Sequence, residues 1–248
     1  MFGDIGESIA FSWLRHVVGC PIVQTNWRPC SLNYESEAAQ EITSVFENVK
    51  KQFKIGGDKL IRATELPKFL RQTECDAVGV AIDGDCLEVH LVEVAYHKSG
   101  LHYTKKTGGL ESLSSAEERT AWIVALKLVR DIMCAYIAFG GTKKIKVHFM
   151  SPVAKKAVAD AVREKMGLID DLFKPCKTVG KVDVLIDVTD SDGAHSFSDE
   201  VHAKLKARLK ENDINEIYMR SCQLYRQFEV NKERQTKAAK REGEKENG

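Results

Sequence analysis

Two carboxylates stand within an apolar pair of predicted strands, in the sequence CDAVGVAIDGDCLEVHLVEVAYHKSG. Asp76 opens the first strand and Glu93 lies far along the second. The turn Asp83-Gly84-Asp85 is a good hairpin signal, so we expect antiparallel neighbours with the two acids side by side. Carboxylate oxygens are what Mg²⁺ and Mn²⁺ prefer, with positions left for phosphate oxygens. The pattern therefore predicts a metal site with Asp76 and Glu93 as ligands; two acids facing solvent are the alternative.

Two cations interrupt the most apolar predicted helix, which spans about 117–139. Lys127 and Arg130 are three residues apart, so they share one face of that helix. Buried cations need anions, and Asp76, Glu93 or a bound phosphate are the nearest candidates. The alternative is that both side chains extend from the helix edge into solvent.

A polar, glycine-containing loop separates the hairpin from this helix. Its basic and aromatic residues suit contacts with a phosphate backbone and stacking on bases. We expect these to be nucleic-acid-binding residues, with an ordinary solvated loop as the alternative: Lys98, His102, Tyr103, Lys105 and Lys106.

The hydrophobic periodicity predicts the elements that position these residues. Strands alternate with helices, which indicates an α/β fold with a central mixed sheet flanked by helices. We expect one domain over 1–230, with a core of about 1–150 and a C-terminal part of about 151–230, and a charged flexible tail over 231–248. The predicted helices are 5–18, 35–54, 64–72, 117–139, 153–166 (capped by Ser151-Pro152), 199–211 and 213–228; the predicted strands are 20–27, 76–82, 86–97, 144–150 and 181–188.

The composition restricts the function classes. The chain has 248 residues with a formal net charge of +1, so any nucleic-acid surface must be a local patch. Its seven cysteines are scattered without a C-x-x-C pair, which indicates reduced thiols in a cytoplasm and argues against a structural zinc site. No apolar run is long enough to span a bilayer, and the acidic start of the chain does not look like a secretion signal.

The sequence resembles the PD-(D/E)XK, or restriction-endonuclease-like, nuclease superfamily. Its members share a helix bearing a Glu, a strand, a hairpin with Asp on one strand and Glu-x-Lys on the next, and a covering helix. Here GDIGESIAFSWL would supply the first helix with Glu7, and the hairpin would supply Asp76 and Glu93. The resemblance covers residues 1 to about 150. Glu7 would assist at the site or simply favour the helix dipole.

The resemblance implies a restriction-endonuclease-like core and a metal-dependent phosphodiesterase. The expected substrate is DNA, with RNA as an alternative, and the expected cofactor is Mg²⁺ or Mn²⁺. Water would attack a backbone phosphate while Lys127 or Arg130 stabilises the developing charge. Besides a protein-interaction domain whose carboxylates are merely exposed, we consider a catalytically inactive nucleic-acid-binding or assembly module. The C-terminal helices could then mediate homo-oligomer formation.

The chain departs from the family at Ala95, where the family has its lysine. Three explanations compete. The lysine has migrated to the covering helix as Lys127, with Ala95 leaving room for it; or an original lysine was replaced to inactivate the protein; or the fold is kept and catalysis lost. We favour migration, because the two cations in the apolar helix otherwise have no purpose.

Overall fold

The computed structural model describes residues 3–29, 31–55, 58–84, 86–95, 101, 103, 113, 115–141 and 143–188. In this part of the chain five strands form one mixed sheet with helices on both faces, so the predicted α/β fold is confirmed. The predicted helices 199–211 and 213–228, with the oligomer contact suggested for them, lie outside the described residues, as does the tail 231–248.

The sheet combines an antiparallel half with a parallel half. Its strands, in spatial order, are β1 (Ile22–Trp27), β4 (Cys75–Asp83), β5 (Cys86–Val94), β6 (Lys144–Ala154) and β7 (Val179–Val188). The first three are antiparallel, and β5, β6 and β7 are parallel. Two short strands, β2 (Lys54–Ile55) and β3 (Asp58–Lys59), form a separate ribbon. The predicted hairpin is the β4–β5 pair.

The helices begin and end with recognisable signals. They are α1 (Gly3–Ser12), α2 (Glu37–Gln52), α3 (Leu66–Leu70), α4 (Ala116–Ala138) and α5 (Lys156–Phe173), and α1 continues as a π-helical segment, Trp13–Val18. Ser36 and Ser115 cap α2 and α4 by accepting hydrogen bonds from the Ala39 and Glu118 N–H groups. Gly19, with φ of 84°, ends the first helical stretch as predicted.

The sheet separates two cores, which we name by the helix that covers each face. On the α4 face, Val89, Leu91 and Ala95 belong to the large core with α2, α4 and α5. On the α1 face, Val92 packs with Ala77, Ala81 and Met150 against α1 and the π-helical segment. Alternation along β5 therefore directs odd-numbered side chains toward α4 and even-numbered ones toward α1.

The prediction for the end of β6 was wrong. The strand continues to Ala154 instead of ending at residue 150, and Ser151-Pro152 lies inside it. Helix α5 accordingly begins at Lys156 and ends at Phe173 instead of spanning 153–166. The extension pairs with β7, where Ile186 and Val188 lie opposite Ser151 and Ala154, and a register irregularity falls between these two positions.

None of the described helices combines the length and the apolar character needed to cross a bilayer.

Candidate functional site

Asp76 and Glu93 meet across the β4–β5 hairpin. The register pairs Ala77 with Val92, and one further step brings Asp76 opposite Glu93. The Val94 N–H donates a hydrogen bond to Asp76 Oδ2 at 2.7 Å. Glu93 is 2% exposed, so its charge lies inside the α4-face core. The two predicted ligands thus lie beside each other at one end of the sheet.

Lys127 brings a cation to this pair from helix α4. Its ammonium group forms an ion pair with Glu93 Oε2, and its side chain remains 42% exposed. Lys127 therefore lies between the buried carboxylate and solvent. Ala95 is buried in the α4-face core, and its N–H donates to the Met150 carbonyl. The cation thus comes from the helix, whereas the strand position contributes only apolar packing.

Asp131 and Cys75 complete the cluster and were not predicted. Asp131 follows Lys127 by one helical turn and is 2% exposed. Donor atoms of Cys75, Glu93 and Asp131 all lie within 4.8 Å of one another. Within the described residues, no N–H or hydroxyl group donates a hydrogen bond to Glu93 Oε1 or to Asp131 Oδ2, and both oxygens are buried. The sequence signals were an acid next to Arg130 in the most apolar helix, and a cysteine directly before Asp76.

Burial and mutual repulsion shift the titration of this cluster. Burial, followed by the charge of Glu93, raises the pKa of Asp76 to about 7, although Lys127 opposes this shift. The same two causes raise the pKa of Asp131 well above its usual range. Burial alone would lower the pKa of Lys127, but the charges of Glu93 and Asp76 raise it. The ammonium group is therefore charged, and a cation added to the cluster would compete with carboxyl protons.

Arg130 lies beside the cluster but does not pair with it. Its guanidinium carbon is 4.9 Å from the centre of the Phe69 ring. Burial lowers its pKa, with Asp131 and Glu93 acting in the opposite direction. Among the residues that the structure describes, it forms no ion pair with a carboxylate. Arg130 is therefore a half-buried cation close to Glu93, held by an aromatic ring.

Glu7 is not brought to the carboxylate pair. Its helix covers the α1 face, whereas Glu93 lies on the α4 face. Its carboxylate accepts a hydrogen bond of 2.8 Å from the side chain of Asn26, a residue of β1 with a φ of 50°. The structure thus gives Glu7 a role in joining α1 to β1.

Tyr103 is the one member of the predicted nucleic-acid-binding loop that the structure describes; Lys98, His102, Lys105 and Lys106 lie outside the described residues. Its N–H donates to Thr120 Oγ1 at 2.9 Å, and its side chain packs half-buried against the α4-face core. Burial raises the pKa of its phenol, with Lys127, Glu93 and Asp76 as the nearby charges. Tyr103 therefore lies at the edge of the carboxylate cluster.

A second polar cluster lies on the α1 face and was also missed. His90 Nδ1 and His148 Nε2 are 3.1 Å apart, and His148 Nδ1 lies 3.3 Å from Asp183 Oδ2. Glu88 lies 3.5 Å from His90 and forms ion pairs with Lys144 and Lys146. The signal in the sequence was the pair of polar residues at even positions of β5, Glu88 and His90.

The fold and the site together define an α/β protein with a buried carboxylate cluster held by a helix-borne lysine. No family model, curated protein or solved structure matches the chain.

Proposed function

We propose that the chain is a metal-dependent phosphodiesterase with a restriction-endonuclease-like core, acting on DNA. The observation that carries this proposal is the ion pair between Lys127 and Glu93, directly across the hairpin from Asp76. Lys127 supplies the cation that the strand lacks at Ala95, from helix α4, which covers the same face of the sheet.

The order of elements supports the proposal. Helix α1 is followed by β1, the β4–β5 hairpin, the covering helix α4 and the parallel strand β6. Helix α1, strand β1, the hairpin and the covering helix occur in the order described above for the superfamily; β6 follows them. Helices α2 and α3, with the β2–β3 ribbon, are insertions between β1 and the hairpin.

Asp76 and Glu93 fit a hard divalent cation on the solvent-facing side of Glu93, which we call its outer side. Asp76 is half-buried and lies directly across the hairpin from Glu93, whose Oε2 reaches the half-exposed ammonium group of Lys127. Both residues would hold the ion, which would activate water and neutralise charge on the phosphate when bound. Asp76 must lose its proton to act as a ligand, and its pKa of about 7 allows this near neutral pH.

The two cations suit the phosphate. Lys127 is half exposed and sits at the solvent side of Glu93, so its ammonium group can turn from the carboxylate toward a phosphate oxygen. Arg130 lies close by, and its guanidinium is held by Phe69 and not by a carboxylate in the described part of the chain. Positive groups held where charge develops are a major source of transition-state stabilisation.

Matched variants on one strand test the proposal. Glu88 resembles Glu93 because both belong to β5, both are buried and both pair with lysine, but Glu88 lies on the α1 face. Plasmid and RNA cleavage should be measured with Mg²⁺ or Mn²⁺ for the parent, Glu93→Gln and Glu88→Gln. We expect Glu93→Gln to lose cleavage by about 100-fold or more, and Glu88→Gln to stay within a few-fold.

The cation is tested in the same assay with Lys127→Met, for which Lys146→Met is the control on the other face. A loss of cleavage confined to Lys127→Met supports its role in the reaction. If the parent cleaves neither substrate, or if both pairs of variants lose activity equally, the proposal is wrong.

A non-catalytic nucleic-acid-binding module is the second candidate. Ala95 favours it, because the strand lacks the family lysine and Lys127 already neutralises Glu93. Binding of DNA without cleavage, unchanged in Glu93→Gln, would support this function over the first.

A further inference from the structure

On the side of Glu93 that faces away from solvent, which we call its inner side, the cluster includes the sulfur of Cys75. A magnesium site does not use such a donor. Cys75 is fully buried, and its Sγ lies within 4.8 Å of donor oxygens of Glu93 and Asp131. Zinc with metal–ligand distances of about 2.0–2.3 Å holds tetrahedral donors roughly 3.5 Å apart. Small rotations of these three side chains would therefore bring their donor atoms to coordination distance.

Two carboxylate oxygens at this position receive no hydrogen bond from an N–H or hydroxyl donor in the described part of the chain. They are Glu93 Oε1 and Asp131 Oδ2, in residues that are each 2% exposed, and the two carboxyl groups can hydrogen-bond to each other when a proton lies between them. Lys127 contacts the other oxygen of Glu93, and Arg130 packs on Phe69. Because unpartnered carboxylate oxygens in a core are costly, this pair is suited to receive a cation.

The chemistry of the donors selects the class of ion. Mg²⁺ takes oxygen ligands in octahedral geometry, whereas one thiolate with two carboxylates suits Zn²⁺ among the common divalent ions. Metal ligands bind in deprotonated form. Among the described residues, the four ionised groups of Cys75, Glu93, Asp131 and Asp76 would then face two cations, Lys127 and Arg130. The four negative and two positive charges leave two negative charges, which a divalent ion balances.

We propose that Cys75, Glu93 and Asp131 form a zinc-class site on the inner side of Glu93, with one coordination position left open. This site goes beyond the proposed phosphodiesterase function, since it would bind its ion whether or not the chain cleaves DNA. Glu93 would be shared, with Asp76 on its outer side and Cys75 and Asp131 on its inner side.

Cobalt binding tests the site through its thiolate. Co²⁺ takes zinc positions, and a cobalt–thiolate bond gives a charge-transfer absorption band in the near ultraviolet. The full-length protein should be titrated with Co²⁺, and bound metal should be measured independently by equilibrium dialysis against Zn²⁺. Cys75→Ser removes the sulfur, while Cys134→Ser alters a buried cysteine of α4 that is not part of the donor group and serves as the matched control.

We expect the parent and Cys134→Ser to show the same band, and Cys75→Ser to lose it. Asp131→Asn should keep a thiolate band but bind Co²⁺ at least tenfold more weakly. Asp76→Asn should keep the band, because Asp76 is not one of the three proposed ligands. A parent without a band, or a band that persists in Cys75→Ser, would overturn the site.

Circular dichroism spectra and melting temperatures identify any variant that fails to fold. If Cys75→Ser does not fold, Asp131→Asn decides, and unchanged Co²⁺ affinity in that variant counts against the site. Failure of the phosphodiesterase proposal is separate, because it appears as absent cleavage and not as an absent cobalt band.

Discussion

Glu88 and Glu93 lie on the same strand and face opposite sides of the sheet, and each is buried and paired with lysine. Among the residues that the structure describes, Glu88 forms ion pairs with two ammonium groups, those of Lys144 and Lys146, and Glu93 with that of Lys127 alone. Burial alone would raise the pKa of Glu88, but hydrogen bonds from its two lysines lower it to about 2. Glu93 therefore has one ion-pair partner in the described part of the chain, with Arg130 close by but not paired, whereas Glu88 has two.

Removal of Lys127 should consequently destabilise the fold more than removal of one lysine from Glu88. We expect Lys127→Met to lower the free energy of unfolding by about 2 kcal/mol, because it leaves Glu93 buried without its cation. This is less than for a fully buried pair, since Lys127 is half exposed. Lys146→Met should cost less than about 1 kcal/mol, as Lys144 remains. Urea denaturation at pH 8 in EDTA measures both, and equal losses would contradict the interpretation.

The histidine pair on the α1 face should make the fold sensitive to acid. Burial, followed by the charges of His148 and Lys146, lowers the pKa of His90 to about 4. The unfolded chain has a histidine pKa of about 6.5, so between these values it binds a proton that the folded state does not. The contribution of His90 to stability should thus fall by about 2 kcal/mol from pH 7 to pH 5.

His90→Asn isolates this effect, because asparagine does not titrate. The difference in free energy of unfolding between the parent and the variant should change with pH across this window. A constant difference from pH 7 to pH 5 would show that His90 is not the group responsible. Glu88 contributes little there, since its pKa lies near 2 in the folded state.

Asp76 should have the opposite pH dependence. Its pKa of about 7 in the folded state lies above its value of about 3.9 in the unfolded chain. Between these values the folded state keeps a proton that the unfolded chain releases, so stability falls as pH rises and is constant above about pH 7. Asp76→Asn keeps an acceptor for the Val94 N–H and removes this penalty.

We therefore expect Asp76→Asn to be more stable than the parent by about 1–3 kcal/mol at pH 8 in EDTA, a range reduced because Asp76 is only half-buried. The gain should shrink as the pH is lowered toward 4. Thermal denaturation across this range measures it. A gain that does not vary with pH would mean that ionisation of Asp76 is not its cause.

The hairpin and its two acids could be predicted because their signals are local. The Asp83–Asp85 turn and the alternation along β5 specify which side chains share a face, with no knowledge of the rest of the chain. The end of β6 could not be predicted in the same way. Its extension to Ala154 depends on pairing with β7, which overrides the helix-start signal at Ser151-Pro152.

The inner part of the carboxylate cluster could not be predicted because it joins three elements. Cys75 comes from β4, Glu93 from β5 and Asp131 from α4, so the spacing rules for metal-binding cysteines do not apply. The absence of a C-x-x-C pair argued against a zinc site, but that rule covers only sites whose cysteines are close in sequence. The sequence did locate Lys127 in the helix, but which carboxylate it meets depends on how α4 lies across the sheet.

Contact of β4 with the π-helical segment and with Cys20, which follows it, leaves no room for a side chain at Gly79. A Cβ there would lie 2.8 Å from Cys20 Sγ and 3.1 Å from a methyl group of Leu14, both buried. We expect Gly79→Ala to lower the free energy of unfolding by about 1–3 kcal/mol through overpacking. Adding Cys20→Ala should recover part of this loss, because it removes the nearest atom.

Gly167→Ala is the matched control, since Gly167 lies inside α5 and a Cβ there meets nothing within 4 Å. That variant should gain up to about 1 kcal/mol from helix propensity. The four proteins can be compared by urea denaturation at one pH. If Gly79→Ala is as stable as the parent, or if Cys20→Ala adds to its loss, the helix does not pack on β4 as closely as the structure shows.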